Sequence, residues 1–429
     1  MPAIALDLDA GAQPGRQTVG QLRARGRVRL VTGLLGPAFV ASVAYVDPGN
    51  FATNFAGGAD RGYQLVWVVI LANLAAMGVQ YLAAKVGLVT GRSLPELCRA
   101  RFGCHITRLL WLQAEAVAMA TDLAEFVGAS IGLNLLSGLP LFTGGLITAV
   151  VAFGLLWLEQ RGYRRYELAI IALLGLIGVG FIYLFFRVGG QDYGQFARGL
   201  VPTLSGSGTV SLAVGIIGAT VMPHAVYLHS GLHKNRVRAA SPAEHELRLT
   251  YNKWDCLAGL GAAGVFNLAM LCVAAARFRQ SSLAAASSFG FIHDRLAAVA
   301  GGGAALVFSI ALLASGLSSS TVGTQAGQVI MDGFTGRRIP LIWRRALTAL
   351  PSLVVLALPV SPGQALLYSQ VVLSFGIPFA LFPLLMVTRD ASVTGKMVSG
   401  WAASALLLVT LMITGLNAYL IGQLIAGAL

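Results

Sequence analysis

The chain has 429 residues, of which 56% are hydrophobic and only 11% are charged, and its mean hydropathy is +0.75. Soluble domains of this size are far more polar, so these values exclude a soluble domain and indicate a membrane protein. In a soluble chain the net charge of +13 would suggest nucleic-acid binding, but here Lys and Arg lie in short loops between long apolar runs. We therefore exclude nucleic acid as a partner and expect a lipid bilayer around the chain.

Hydrophobic runs long enough to cross a membrane follow one another along the chain. A hydrocarbon core of ~30 Å takes ~20 helical residues, and eleven runs reach about this length. The predicted spans are 30–57, 64–90, 106–137, 141–158, 166–186, 209–233, 252–276, 303–331, 344–360, 364–388 and 398–426. With a cytoplasmic N-terminus, most of the 30 basic residues lie inside. The sequence thus predicts a multi-pass protein of a bacterial-type plasma membrane, with its C-terminus extracellular.

Two of these spans are interrupted by residues that stop helices. The first is broken at Asp47-Pro48-Gly49-Asn50, because proline lacks a backbone donor and glycine has a low helix propensity. The sixth is broken within 218–224, where the sequence reads Gly-Ala-Thr-Val-Met-Pro-His. Five spans separate the two breaks, a spacing typical of inverted-repeat transporters whose site lies between two discontinuous helices.

This spacing predicts an all-α membrane fold of two inverted five-helix repeats, spans 1–5 and 6–10, with an eleventh span outside them. A cytoplasmic tail at 1–29 precedes the first repeat at 30–186. An extracellular loop at 187–208 leads to the second repeat at 209–388, and 389–429 holds the eleventh span and the C-terminus.

Residues at the two breaks suggest a cation site. A broken helix leaves carbonyls unpaired inside the membrane, and protein, water or an ion must satisfy them. Asp47 would supply charge, Asn50 a side-chain oxygen, and the turns around Ala44 and Ala219 backbone oxygens. Met222 would add a thioether, which transition metals accept and Mg²⁺ and Ca²⁺ do not favour. The blander alternatives are that the aspartate only caps a helix and that the methionine only fills the core.

The third span carries three carboxylates on one helical face. Glu115, Asp122 and Glu125 are spaced seven and three residues apart, so they share a side of the helix that cannot point into lipid. This face is either a structural hydrogen-bond network or a proton relay. Arg344 or Arg345, at the start of span nine, would assist such a relay.

Other polar residues in or beside the spans allow narrower expectations. His224, at the second break, is the candidate for proton handling or gating. His229 is either functional or a packed, hydrogen-bonded residue, and His233 and Arg236 are expected to be solvated at the cytoplasmic end. Gln370 is expected to reach the metal in an occluded state.

Several segments together match a known pattern over nearly the whole chain. They are Asp47-Pro48-Gly49-Asn50, Met222-Pro223-His224, Tyr227-Leu228-His229-Ser230, Thr121-Asp122-Leu123-Ala124-Glu125, Ser319-Ser320-Thr321, Ser369-Gln370-Val371 and Pro378-Phe379-Ala380. With these motifs the sequence resembles the Nramp family of proton-coupled metal transporters. The resemblance implies a LeuT-like fold, an Asp-Asn-Met metal site and a proton route through the third span. It also implies uptake of Mn²⁺, and of Fe²⁺, Co²⁺ and Cd²⁺, by alternating access.

Two other transport functions stay open at this stage. A Mg²⁺ transporter of a related subfamily is the nearer alternative, and Met222 argues against it. A sodium-coupled amino-acid transporter of the same fold would bind a carboxylate at half-helix N-termini, where Asp47 would repel it. No catalytic motif stands at a meaningful spacing, so we expect neither an enzyme nor a cofactor, only the transported metal and protons. The four cysteines fit no ligand or disulfide spacing and are expected to be free thiols.

Overall fold

The computed structural model describes residues 18–160, 163–206, 208–234, 236–279, 288–337, 339–357, 362–394 and 400–425, and every regular element in these ranges is a helix. The helices are α1 (Val19–Ala24), α2 (Arg27–Leu34), α3 (Pro37–Val43), α4 (Pro48–Arg61), α5 (Val66–Thr90), α6 (Leu94–Arg101), α7 (Cys104–Ser137), α8 (Leu141–Gln160), α9 (Tyr163–Val188), α10 (Tyr193–Arg198), α11 (Thr209–Thr220), α12 (Pro223–His233), α13 (Pro242–Arg277), α14 (Phe289–Ala300), α15 (Gly302–Thr335), α16 (Leu341–Ala357), α17 (Pro362–Arg389), α18 (Ala391–Thr394) and α19 (Gly400–Ile425). Short 3₁₀ helices stand at Ala44–Val46 and Gly62–Leu65.

Ten helical segments of the described chain are long and apolar enough to cross a membrane, from Arg27–Val46 to Gly400–Gly422. The predicted multi-pass organisation is therefore confirmed. The predicted ninth span, 344–360, corresponds to α16, of which 17 residues are described, and 358–360 lie outside the described residues. The predicted tail, 1–29, lies outside them as far as residue 17. All four cysteines are free thiols, as expected.

Both predicted breaks are present. At the first, the 3₁₀ turn Ala44–Val46 ends at Asp47, whose backbone is extended, and α4 begins at Pro48. At the second, α11 ends at Thr220, and α12 begins at Pro223. Each second half-helix thus starts with proline at its first position, where the missing N–H costs no hydrogen bond and the fixed φ suits a helix. The first span has a further break, because Gly36 has a φ of +128° between α2 and α3.

Small residues and aromatic rings hold the spans around these breaks. α7 and α15 pack against each other closely, since a Cβ on Gly316 would lie only 2.6 Å from the backbone nitrogen of Ala129. Toward the predicted extracellular side, α4 buries Phe51 and Phe55 in an aromatic cluster with Phe181. The ring centroids of Phe51 and Phe181 are 4.9 Å apart in an edge-to-face arrangement. This cluster covers the break from that side.

Candidate functional site

One side chain joins the two breaks. The Nδ2 of Asn50 donates to the Oδ1 of Asp47 and to the backbone oxygen of Ala219, each at 2.8 Å. The Oδ1 of Asp47 also accepts from the Asn50 backbone nitrogen at 2.8 Å, so the aspartate caps α4. Its Oδ2 is buried and has no hydrogen-bond partner among the described residues. One carboxylate oxygen therefore serves as the helix cap while the other is left for a further partner.

Met222 and Gln370 lie at the same place in the fold. Met222 is fully buried at the second break, immediately before α12. A Cβ on Gly49 would lie 2.3 Å from the Nε2 of Gln370, so this amide packs directly against the first break. The backbone of the same residue packs against the second break, since a Cβ on Gly218 would lie 2.0 Å from the backbone oxygen of Gln370. Span ten thus covers both breaks at once.

The carbonyls of the first break are largely satisfied by protein. The Nδ2 of Asn267 donates to the Tyr45 oxygen at 2.8 Å, and the Oγ of Ser315 donates to the Val46 oxygen at 2.6 Å. Sequence reasoning missed both donors, although each is a polar residue in an apolar span, which was the available signal. Ala44 lies buried at the start of the same 3₁₀ turn, and its role as a ligand stays a prediction.

Two of the three predicted carboxylates are brought together beside the second break. Asp122 and Glu125 are buried, and a Cβ on Gly323 would lie 2.7 Å from the Asp122 Oδ1 and 2.8 Å from the Glu125 Oε2. Both carboxylates therefore face one glycine of α15. The Nδ1 of His224 lies 3.4 Å from the Oγ1 of Thr121, which connects α12 to this part of α7.

The third carboxylate has the predicted type of partner. Glu115 accepts from Arg344 at 2.8 Å and 3.2 Å, and this arginine is only 3% exposed. The side chain of Arg345, the other predicted partner, lies outside the described residues. The acidic face of α7 thus continues from the breaks to an ion pair between a buried arginine and a partly buried glutamate, nearer the predicted cytoplasmic side.

A second polar cluster, at the predicted cytoplasmic end, corrects the expectation that Arg236 is solvated. Its guanidinium is 13% exposed and bonds the buried carboxylate of Glu167 at 2.7 Å and 3.2 Å. It also donates to the Leu35 oxygen at 2.7 Å and the Gly33 oxygen at 3.0 Å. The physical reason is that the end of α2 brings unpaired carbonyls to this arginine.

Asp255 completes this second polar cluster. Its two carboxylate oxygens accept from the backbone nitrogens of Gly36 and Ala38, both at 2.8 Å, so it binds the N-terminus of α3. A Cβ on Gly36 would lie 1.7 Å from the Glu167 Oε1, which explains why glycine stands there. Sequence reasoning missed this cluster because its partners lie far apart in the chain.

The expectation that His233 is solvated is also wrong. The side chain is 4% exposed, and its Nε2 lies 3.3 Å from the Nε2 of His229. α2 and α13 cover this end of α12, since Leu34 and Arg248 line the same small cavity. His229 is also fully buried, and its Nδ1 lies 2.9 Å from the Oε1 of Gln80.

A buried polar site between two broken helices, in a protein with many membrane spans, defines the class of secondary transporters. The chain belongs to the Nramp family: the family model described as "Natural resistance-associated macrophage protein-like" matches residues 38–423. It is 46% identical over 433 residues to the "Divalent metal cation transporter MntH" of Deinococcus radiodurans, covering 99% of this chain and 97% of that relative. The family consists of transporters, not enzymes.

Solved structures agree with this assignment. The chain is similar to a manganese transporter of Eremococcus coleocola, with a TM-score of 0.83 and 32% identity over 93% of this chain and 88% of the other. A nucleobase-cation-symport-1 family transporter, MHP1, is similar in fold alone, with a TM-score of 0.55 and 14% identity over 90% of this chain and 93% of the other. The predicted LeuT-like fold class is confirmed.

Proposed function

We propose that this protein takes up divalent transition-metal ions, Mn²⁺ foremost and also Fe²⁺, Co²⁺ and Cd²⁺, together with protons, by alternating access across the plasma membrane. The observation that carries the proposal is the fully buried Asn50, which joins Asp47 at one break to Ala219 at the other. The Deinococcus relative, a divalent metal cation transporter, and the Eremococcus manganese transporter support the choice of cargo.

The hydrogen bonds of Asn50 indicate where the ion would bind. Its Nδ2 donates to two of the proposed ligand oxygens, so a group of positive character already lies between them. On binding, the amide would turn, release the Ala219 carbonyl and present its own oxygen to the ion. Asp47 would contribute charge and Met222 its sulfur, while the Ala44 carbonyl and the Gln370 amide would complete the shell.

Protons would follow a separate route along α7. Asp47 and His224 lie at the two breaks, and the histidine contacts the turn of α7 that carries Asp122 and Glu125. From there the route would continue toward the cytoplasm through the ion pair of Glu115 with Arg344, using groups buried from lipid. In this proposal the N-terminus is cytoplasmic, the C-terminus is extracellular, and metal and protons leave the breaks by different paths.

Voltage alone would provide a large driving force for such uptake. A divalent cation gains about 4.6 kcal/mol per 100 mV of inside-negative potential, at ~2.3 kcal/mol per unit charge. That energy would concentrate the ion on the order of a thousandfold. Proton coupling would add to this, so the carrier must prevent both ends from opening together. We propose that the second polar cluster, formed by Arg236, Glu167 and Asp255, closes the cytoplasmic end. The aromatic cluster around Phe51 would close the extracellular end.

The experiment is initial uptake of Mn²⁺ into proteoliposomes with Mg²⁺, Ca²⁺ or amino acids in large excess. The proposal expects uptake that resists all three competitors and accompanies acidification of the lumen. Met222→Ala should keep part of the Mn²⁺ uptake, lose more Cd²⁺ uptake and admit Ca²⁺ or Mg²⁺, because water would replace sulfur. If the wild type carries Mg²⁺ as readily as Mn²⁺, the result favours the Mg²⁺ transporter. Sodium-driven uptake of amino acids would favour the sodium-coupled amino-acid transporter.

A further inference from the structure

Two histidines on the cytoplasmic half of the sixth span face each other outside the site described above. His229 and His233 are one helical turn apart on α12, so their side chains share a face. Their Nε2 atoms are 3.3 Å apart, and the two side chains are 0% and 4% exposed. Imidazole nitrogens brought together in this way share either one proton or one metal ion.

The neighbouring residues fix the tautomer of His229. Its Nδ1 lies 2.9 Å from the Oε1 of Gln80, an oxygen that can only accept, so the Nδ1 carries the hydrogen. The Nε2 of Gln80 in turn donates to the Tyr45 hydroxyl, which holds the amide in this orientation. The Nε2 of His229 therefore presents a lone pair. Metal-binding histidines are oriented in this way, with the other ring nitrogen donating to an oxygen.

The separation of the two nitrogens matches one shared ion. Two imidazole nitrogens at ~2.0–2.1 Å from a tetrahedral ion lie ~3.3–3.4 Å apart. We propose that His229 and His233 form a second transition-metal site on the cytoplasmic half of the sixth span. It would take an ion that favours imidazole, such as Zn²⁺, Co²⁺ or Fe²⁺. Its use as a station during ion release rests on the proposed function, whereas ion binding by the pair does not.

The surroundings favour a site of modest affinity. A cavity of about 10 Å³ beside His233, lined also by Arg236 and Arg248, has room for about one water molecule, which could serve as a third ligand. Glu167 pairs with Arg236 but also with Arg164, so Arg236 and Arg248 both repel a cation at this place. A site on a conduction path must release its ion, and this repulsion suits that requirement.

The test is equilibrium dialysis of the full-length protein in detergent against Zn²⁺. The Asp47→Ala/Met222→Ala variant removes the first site and should still bind one Zn²⁺ per chain. Adding His233→Gln should abolish that binding, although glutamine can still donate to the His229 Nε2 and keep the local hydrogen bond. His233→Cys should restore it, since a thiolate is a zinc ligand. Arg248→Gln should tighten it several-fold, a change that a purely structural pair would not show.

His293→Gln is the matched control, because that histidine bonds only the adjacent Asp294 among the described contacts and lies on α14. Zn²⁺ binding that survives His233→Gln, or falls equally with His293→Gln, would overturn the second site. If the double variant does not fold, the same test can be made in the wild-type background. There His233→Gln should lower the bound Zn²⁺ from two ions per chain to one. If the wild type binds Zn²⁺ at the histidine pair but takes up no Mn²⁺, the result would instead contradict the proposed function alone.

Discussion

Arg236→Gln should open the cytoplasmic end of the protein. In the closed form the guanidinium makes four hydrogen bonds, two to Glu167 and one each to the Leu35 and Gly33 carbonyls. Because an open end separates α2 from this arginine, the open form has few of these bonds to lose. Glutamine removes the charge and most of the donors while keeping a polar side chain of similar reach. The substitution therefore destabilises the closed form selectively.

The magnitude follows from the burial of the ion pair. Removing one partner of a fully buried pair costs ~3–5 kcal/mol. Here the arginine is 13% exposed, and Arg164 remains as a second partner of Glu167, so about 2–3 kcal/mol is the appropriate range. At ~1.4 kcal/mol per tenfold, the open population should rise about 30- to 150-fold.

The assay is the rate at which an impermeant thiol reagent, applied to the cytoplasmic face, labels Ser42→Cys. Ser42 is fully buried on α3, and Cys104, the exposed native cysteine, is replaced by serine. Arg164→Gln is the matched control, because Arg164 contacts the same glutamate but is 43% exposed, and exposed pairs contribute ~0–1 kcal/mol. Equal labelling rates for both variants, or no change with Arg236→Gln, would refute the closure.

Two further predictions concern the breaks and the proposed proton route. Glu125→Gln and Asp122→Asn should impair metal-driven acidification far more than Mn²⁺ binding, because α7 supplies no proposed ligand; unchanged acidification and pH dependence in both would remove the relay. Gly49→Ala should reduce uptake in proteoliposomes, since its Cβ would lie 2.3 Å from the Gln370 Nε2 and displace that amide from the first break. Gly78→Ala, whose Cβ would meet nothing within 4 Å, should match the wild type, and equal activity of the two alanine variants would show that the first break tolerates expansion.

The sequence was sufficient for features that depend on local chemistry. Pro48 and Pro223 each mark where a half-helix begins, because proline suits a first helical turn and stops a preceding one. The carboxylate face of α7 followed from helical periodicity, and Arg344 was one of two arginines at the start of span nine that were expected to assist it. The half-helix starts and the carboxylate face need only neighbours in the chain.

Long-range contacts lay beyond such reasoning. Arg236 and Glu167 are 69 residues apart, and Asp255 binds the Gly36 nitrogen across 219 residues, so neither pattern is visible along the chain. His233 was expected in solvent because it lies near the end of a span. Residues of α2, α5 and α13, which line the cavity beside it, bury it instead. The Gly-Pro pair at 36–37 inside the first apolar run was an available sign of the additional break.

The most direct test of the central claim is the initial rate of Mn²⁺ uptake by Asp47→Ala in proteoliposomes. Asp47 is the carboxylate at the first break, and its Oδ2 has no hydrogen-bond partner in the described part of the chain. Asp294→Ala, at a surface position whose side chain is 84% exposed, is the matched control. We predict that Asp47→Ala nearly abolishes uptake while the control retains it. Robust Mn²⁺ uptake by well-folded Asp47→Ala protein would contradict the placement of the metal between the two breaks.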